Sequence, residues 1–251
     1  MTRSTITVEV CVDTLDGLNA AIAGGADRIE LCSALALGGL SPSRGLLEAA
    51  ARCPLPVRAM VRPIGGGFLV DPDLRTAMLA EIRDIRAMGL EGVVCGALTS
   101  RGELDRETLG ALREAAGADL AMTLHRCVDL LPDPVPSVDL AADLGIETIL
   151  TSGGAGRAVE GVEVLHRMTR AADGRVQIMA GSGLTPANVA DIISRTGVAA
   201  VHASCSIAAE TDPDLVTMGF QSARSLTTDA GTVRAFREAA YSAGTSAARP
   251  T

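Results

Sequence analysis

Two short stretches near the N-terminus repeat one pattern, Glu9-Val10-Cys11 and Glu30-Leu31-Cys32. Within a β-strand a carboxylate and a thiol two residues further on share one face. If the two strands are parallel neighbours in matched register, each group meets its counterpart about 4.8 Å away across the ladder. Two chemistries fit such a cluster. Thiolates select Cu(I) or Zn(II) over harder ions, which makes Cys11 and Cys32 candidate metal ligands; they can equally close a disulfide if their Cα atoms stand roughly 4.4–6.8 Å apart. Glu9 and Glu30 are candidates for proton transfer, or for a structural ion network with Arg58 and Arg62, since a buried carboxylate must find a partner.

Further polar groups fall on what read as strand ends. Placing the β-branched residues of each strand against flanking helices turns the opposite parity inward: Glu9, Cys11 and Asp13; Glu30 and Cys32; Arg58 and Arg62; Thr123 and His125; Ser152; His202 and Ser204. His125 and His202 are candidate bases or ligands, or histidines that hold loops. The turn Gly181-Ser182-Gly183-Leu184-Thr185-Pro186, with Ser204-Cys205-Ser206, has the glycines and hydroxyls of an anion pocket, although glycine also serves simply to turn a chain. Cys53, Cys95, Cys127 and Cys205 read as small buried hydrophobes, and His166 as a surface residue of a helix.

The elements that must position these groups alternate along the chain. Strands are expected near 6–12, 27–32, 57–62, 92–97, 119–125, 147–152, 176–181 and 199–204, with seven helices between them and an eighth after the last. Ser41-Pro42, Asp71-Pro72 and Thr185-Pro186 are expected helix starts, each a capping side chain before a Pro. Gly24-Gly25, Gly89 and Gly145 are expected stops. Eight alternations in 251 residues predict an α/β fold of the (β/α)8 TIM-barrel type as one domain over 1–251, with its chemistry at the C-terminal ends of the strands. No GxGxxG follows the first strand, which argues against a dinucleotide fold. The long connection at about 206–228 is expected to form part of a lid or a subunit contact.

Composition prunes the function. Aromatic residues make up 2% and hydrophobic residues 47%, so the core must be built of Ala, Val, Leu and Ile. A net charge of −8 without an Arg cluster argues against nucleic acid and anionic membranes as partners. Every basic residue is Arg, so a Schiff-base lysine and a P-loop are both excluded. Met1 to Thr5 carry no apolar signal region, no apolar run reaches the roughly 18 residues of a membrane span, and scattered cysteines without a CxxC pair suit a reducing compartment; a cytoplasmic protein is expected.

Gly25-Ala26-Asp27-Arg28-Ile29-Glu30-Leu31-Cys32, followed by Gly38-Gly39-Leu40-Ser41-Pro42-Ser43, resembles the signature of the CutC family of copper homeostasis proteins. Similar stretches continue at Glu9-Val10-Cys11, Arg62-Pro63, Gly96-Ala97-Leu98, His125-Arg126, Leu150-Thr151-Ser152-Gly153, Met179-Ala180-Gly181 and His202. The resemblance implies a (β/α)8 barrel, a cytoplasmic location, a homodimer or homotetramer, and a role in copper handling. It also implies that Cys11 and Cys32, which match two cysteines proposed as Cu(I) ligands in animal members, hold the ion. This chain departs from the family in the loop after the third strand, where Ile64 and Gly67 stand in place of an Arg and an Asp. The alternative is an enzyme acting on a small anionic or phosphorylated metabolite. Arg62, Gly181, Ser182, Gly183 and Ser204 would grip the anion, Glu30 or His125 would move a proton, and Glu9 would orient it.

Overall fold

The computed structural model describes residues 6–246. Eight parallel strands close into a barrel in sequence order: β1 (Thr7–Val12), β2 (Arg28–Leu31), β3 (Val57–Met60), β4 (Gly92–Cys95), β5 (Ala121–Leu124), β6 (Thr148–Thr151), β7 (Gln177–Ala180) and β8 (Ala200–Ala203). The expected (β/α)8 barrel is therefore the fold. Around it run α1 (Leu15–Gly24), α2 (Arg44–Ala50), α3 (Pro72–Ala87), α4 (Arg106–Ala116), α5 (Ser137–Leu144), α6 (Val162–Ala172) and α7 (Val189–Thr196). After β8 a short hairpin, β9 (Ser206–Ala208) and β10 (Leu226–Thr228), encloses a one-turn helix, α8 (Pro213–Thr217), before the last helix, α9 (Ala230–Ser246). Among the described residues no helix is long and apolar enough to cross a membrane.

The local signals explain most of these boundaries. Asp71 accepts from the Leu74 N–H with Pro72 in the first turn, so α3 starts where the capping pair predicts. Gly25 and Gly145 adopt left-handed geometry and end α1 and α5. Gly89, also left-handed, lies just beyond Met88, the cap of α3. Two expected starts are displaced. Ser43 rather than Ser41 caps α2, because the Ser41 hydroxyl is spent on Glu81 and on the Arg62 N–H. Thr185-Pro186 forms a turn closed by Asn188 Oδ1 on the Thr185 N–H, and α7 begins three residues after Pro186.

Outside the strands Val, Ile, Leu and Ala pack against the helices in one large core that includes Val8, Val10, Ile29, Val93, Met122 and Ile149. Inside, the lower layers are polar. Arg58 crosses the lumen from β3: it pairs with Glu91 at 2.8 and 3.1 Å and donates to the hydroxyls of Thr123 at 2.7 Å and Thr148 at 2.9 Å. Gly92 beside it on β4 makes this crossing possible, since a Cβ there would stand 3.1 Å from Arg58 Cγ and 2.5 Å from the Ala121 carbonyl. At the foot of the barrel Asp27 accepts from the Val8 N–H at 2.8 Å and from the Tyr241 hydroxyl at 2.6 Å, fastening α9 to β1.

Candidate metal-binding and ligand-binding site

Strand register builds the site. Glu9 on β1 stands level with Arg28 on β2 and His202 on β8, and one layer higher Cys11 stands level with Glu30. This corrects the matched register expected for the repeated Glu-x-Cys motif. Glu9 does not face Glu30, and Cys32 does not face Cys11, because β2 is advanced two residues relative to the repeat. Closing eight strands into a barrel requires such a stagger between neighbours. The ion network is corrected with it: Glu9 pairs with Arg28, while Arg58 goes to Glu91.

Glu9 is fully buried, and burial alone would raise its pKa; the Arg28 guanidinium and the His202 hydrogen bond outweigh burial and hold the carboxyl well below the usual carboxylate range. Its Oε1 lies 2.8 Å from His202 Nδ1. That contact orients the ring and leaves Nε2 for the layer above, where a Glu30 oxygen stands 3.7 Å away. Burial opposes charge on His202, yet Cys11, Glu30 and Glu9 together favour the imidazolium. Glu30 is 3% exposed and its carboxyl is pushed up, first by burial. One of its oxygens accepts from the Cys32 thiol at 3.4 Å, and the other, Oε1, has no hydrogen-bond partner among the described residues.

Cys11, Glu30 and His202 each offer a ligand atom within 4.8 Å of the other two, and all three are buried. Two donors on opposite sides of a metal with 2.0–2.3 Å bonds stand about 4.3 Å apart, so small side-chain movements suffice to close the three on one ion. The carboxylate–histidine contact below, Glu9 to His202, is the support that metal-binding histidines generally receive. Cys32 lies outside this group. Its side chain packs with Met60, Val94 and Leu35, and burial pushes its thiol well above the ordinary range.

Above these donors opens a cavity of about 930 Å³ at the C-terminal ends of the strands. Its wall includes Cys11, Glu30, Arg62, His125, Arg126, His202, Ser182, Gly183 and Ser204, which brings together most of the candidate site residues, with Cys32 outside it. Glu9 lies below the floor. Gly181 is not in the wall, and its N–H is spent on the Thr151 carbonyl. Arg62 donates to the carbonyls of Leu37, Gly39 and Gly66 and lies over the Phe68 ring, so it ties two loops together at the rim. Arg126 is paired with Asp129, which also accepts from Thr151, Ser152 and Gly154. The 206–228 connection does reach the mouth, contributing Ser206, Ser222, Arg224, Leu226 and Thr228 to the wall.

Arg28 is the residue that sequence reading missed. Its parity with Glu30 was available, since the two are separated by two positions, but nothing local identified Glu9 as its partner.

His125 is 5% exposed, accepts the Cys127 N–H at Nδ1 and packs against Phe68. Gly96 makes room for it, since a Cβ there would fall 2.4 Å from the ring. Burial is the first cause holding its pKa down to about 4. The folded protein therefore stays neutral at His125 while the unfolded chain takes up a proton near pH 6.5. Stability from this group is complete above about pH 6.5 and falls on acidification to about pH 4, by about 3 kcal/mol in all. Urea melts of His125→Gln should lose that part of the pH dependence, and an unchanged slope would refute the assignment.

The fold and the site define a (β/α)8 barrel with a buried thiol–carboxylate–imidazole cluster under a mouth cavity of metabolite size. The CutC family model matches residues 6–207. A CutC family protein of Sinorhizobium medicae is 48% identical over 233 residues, 92% of this chain and 95% of that one. One of Caulobacter vibrioides is 47% identical over 204 residues, 81% and 83% of the two chains. The crystal structure of CutC from Streptococcus agalactiae, assigned provisionally to copper homeostasis, superposes with a TM-score of 0.76 at 29% identity, covering 79% of this chain and 98% of that one. This chain belongs to the CutC family.

Proposed function

We propose that this protein handles copper as cargo, holding the ion at the floor of the barrel through Cys11 and His202 with Glu30 beside them. The observation that carries this reading is the three-donor cluster with Glu30 Oε1 unpartnered among the described residues in a buried site. A buried carboxyl oxygen without a hydrogen bond is destabilising unless a cation or a donor meets it. One thiol, one imidazole and one carboxylate suit Zn(II) as well as copper by donor type, and the family relation makes copper the ion we propose. Cys32 is assigned a supporting role, since its thiol hydrogen bonds to Glu30 and it lies outside the donor group. The test is an anaerobic titration of Cu(I) against a competing chelator, repeated with Zn(II). Tight one-to-one Cu(I) binding supports the reading, and a preference for Zn(II) overturns it.

A second reading is favoured by the cavity itself. About 930 Å³ is the size of a pocket for an organic molecule and far exceeds the needs of one ion. In this reading the barrel acts by acid/base chemistry on a small anionic metabolite. Glu30, its carboxyl pushed up by burial and facing the cavity, is the proton carrier, while neutral His125 and the Arg62 rim shape the pocket. A cytoplasmic location and a homodimer or homotetramer remain proposals that rest on the family relation. Size-exclusion chromatography with light scattering tests the oligomer, and a monomer at micromolar concentration would refute it.

A further inference from the structure

We infer that the outer half of the cavity, between the loops after β7 and β8 and the β9–β10 hairpin, binds the phosphate group of a small phosphate monoester. The inference rests on the second reading, that the cavity takes a metabolite, and names its class. Ser182, Gly183, Ser204, Ser206, Ser222 and Arg224 all contribute to this part of the wall.

Arginine commitment separates this region from the rest of the mouth. Arg62 is bonded to three carbonyls and Arg126 to Asp129, so both are used in holding the rim. The Arg224 guanidinium makes no hydrogen bond or ion pair among the described residues, and neither does that of Arg157. Arg157 lies directly behind the β7 loop, with its Nε where a Cβ on Gly183 would come within 2.6 Å. Two uncommitted cations thus flank the loops after β7 and β8 in a protein of net charge −8.

Donors of the second kind a phosphate needs are also present. The N–H groups of Ser182 and Gly183 have no acceptor among the described residues, and both residues are in left-handed conformation, at φ 76° and 71°. Glycine meets that geometry freely, whereas a serine held there is strained. Ser204 and Ser206 hydroxyls stand 2.9 Å apart; one donates to the other, which leaves the second hydrogen for a ligand. Of the carboxylates at the rim of the wall, Asp129 is paired with Arg126 and Asp13 accepts from the Leu35 N–H. Free guanidinium, hydroxyl and amide donors together match the three terminal oxygens of a phosphate better than a single carboxylate. The ester group would then extend inward toward Glu30 and Cys11.

Calorimetric titration and thermal melts with inorganic phosphate, glycerol phosphate and acetate, at ionic strength held constant with chloride, test the subsite. Saturable one-to-one binding of both phosphates and none of acetate is expected. Arg224→Gln should weaken phosphate at least tenfold, Ser204→Ala several-fold, and Arg167→Gln, a surface arginine paired with Asp133, not at all. Absence of saturable binding overturns the proposal, as does equal phosphate affinity in Arg224→Gln and wild type. Circular dichroism of each variant separates lost binding from lost fold. Cys11→Ser should retain phosphate whatever it does to Cu(I); a folded Cys11→Ser protein that loses phosphate places the anion at the floor and also overturns the proposal. Loss of Cu(I) binding alone bears only on the metal reading.

Discussion

Replacing Arg28 with Met should destabilise the barrel by about 3–5 kcal/mol, because it leaves Glu9 charged in the interior with His202 as its one remaining partner among the described residues. Glu9 is wholly buried and the Arg28 side chain only 9% exposed, so no solvent reaches in to replace the lost guanidinium. The double variant Glu9→Gln, Arg28→Met removes both charges and should recover most of the loss, which urea denaturation measures as a coupling energy. A single-variant loss below about 1 kcal/mol would show that the pair is effectively solvated. Acid titration gives an independent reading of the same pair. Glu9 has a lowered pKa in the folded state, so its contribution is complete above the ordinary carboxylate pKa and is lost as pH falls through the lowered value. In Arg28→Met, where the guanidinium no longer holds the carboxyl down, that loss should shrink or vanish.

Cys11→Ser should lower Cu(I) affinity by more than a hundredfold, the largest effect expected of any single change at the floor. Serine keeps the size and removes the soft donor, and only thiol and imidazole in the cluster suit Cu(I). Glu9→Gln, which alters the support of His202 without touching the ion, should cost about 10–100-fold. Cys32→Ser keeps a donor to Glu30 and should stay within about tenfold of wild type. Competition titration of the three variants orders them. If Cys32→Ser proves as damaging as Cys11→Ser, then both thiols bind the ion and the assignment made from the geometry is wrong.

The barrel was legible in the residues because its signals are local. Eight apolar strand segments, a capping Asp71 before Pro72, and stops at Gly25 and Gly145 each depend on neighbours a few positions away. Inward parity was legible for the same reason: side chains alternate with a period of two, so Glu9, Cys11, Glu30, His125 and His202 could be assigned to the lumen from the strand they occupy. Parity carries no information on how far one strand slides past the next. That stagger is set by closure of all eight strands together, and it alone decided that Glu9 meets Arg28 and His202, that Cys11 meets Glu30, and that Cys32 stands a layer apart. Whether an arginine is free or committed is likewise decided by loops distant in sequence, as Arg62, Arg126 and Arg224 show. By itself the sequence determined the fold, the family resemblance and the side of the barrel on which chemistry gathers. Only the tertiary structure decided which of those side chains touch, because contact across a closed barrel depends on register, a property of the whole sheet that no single strand encodes.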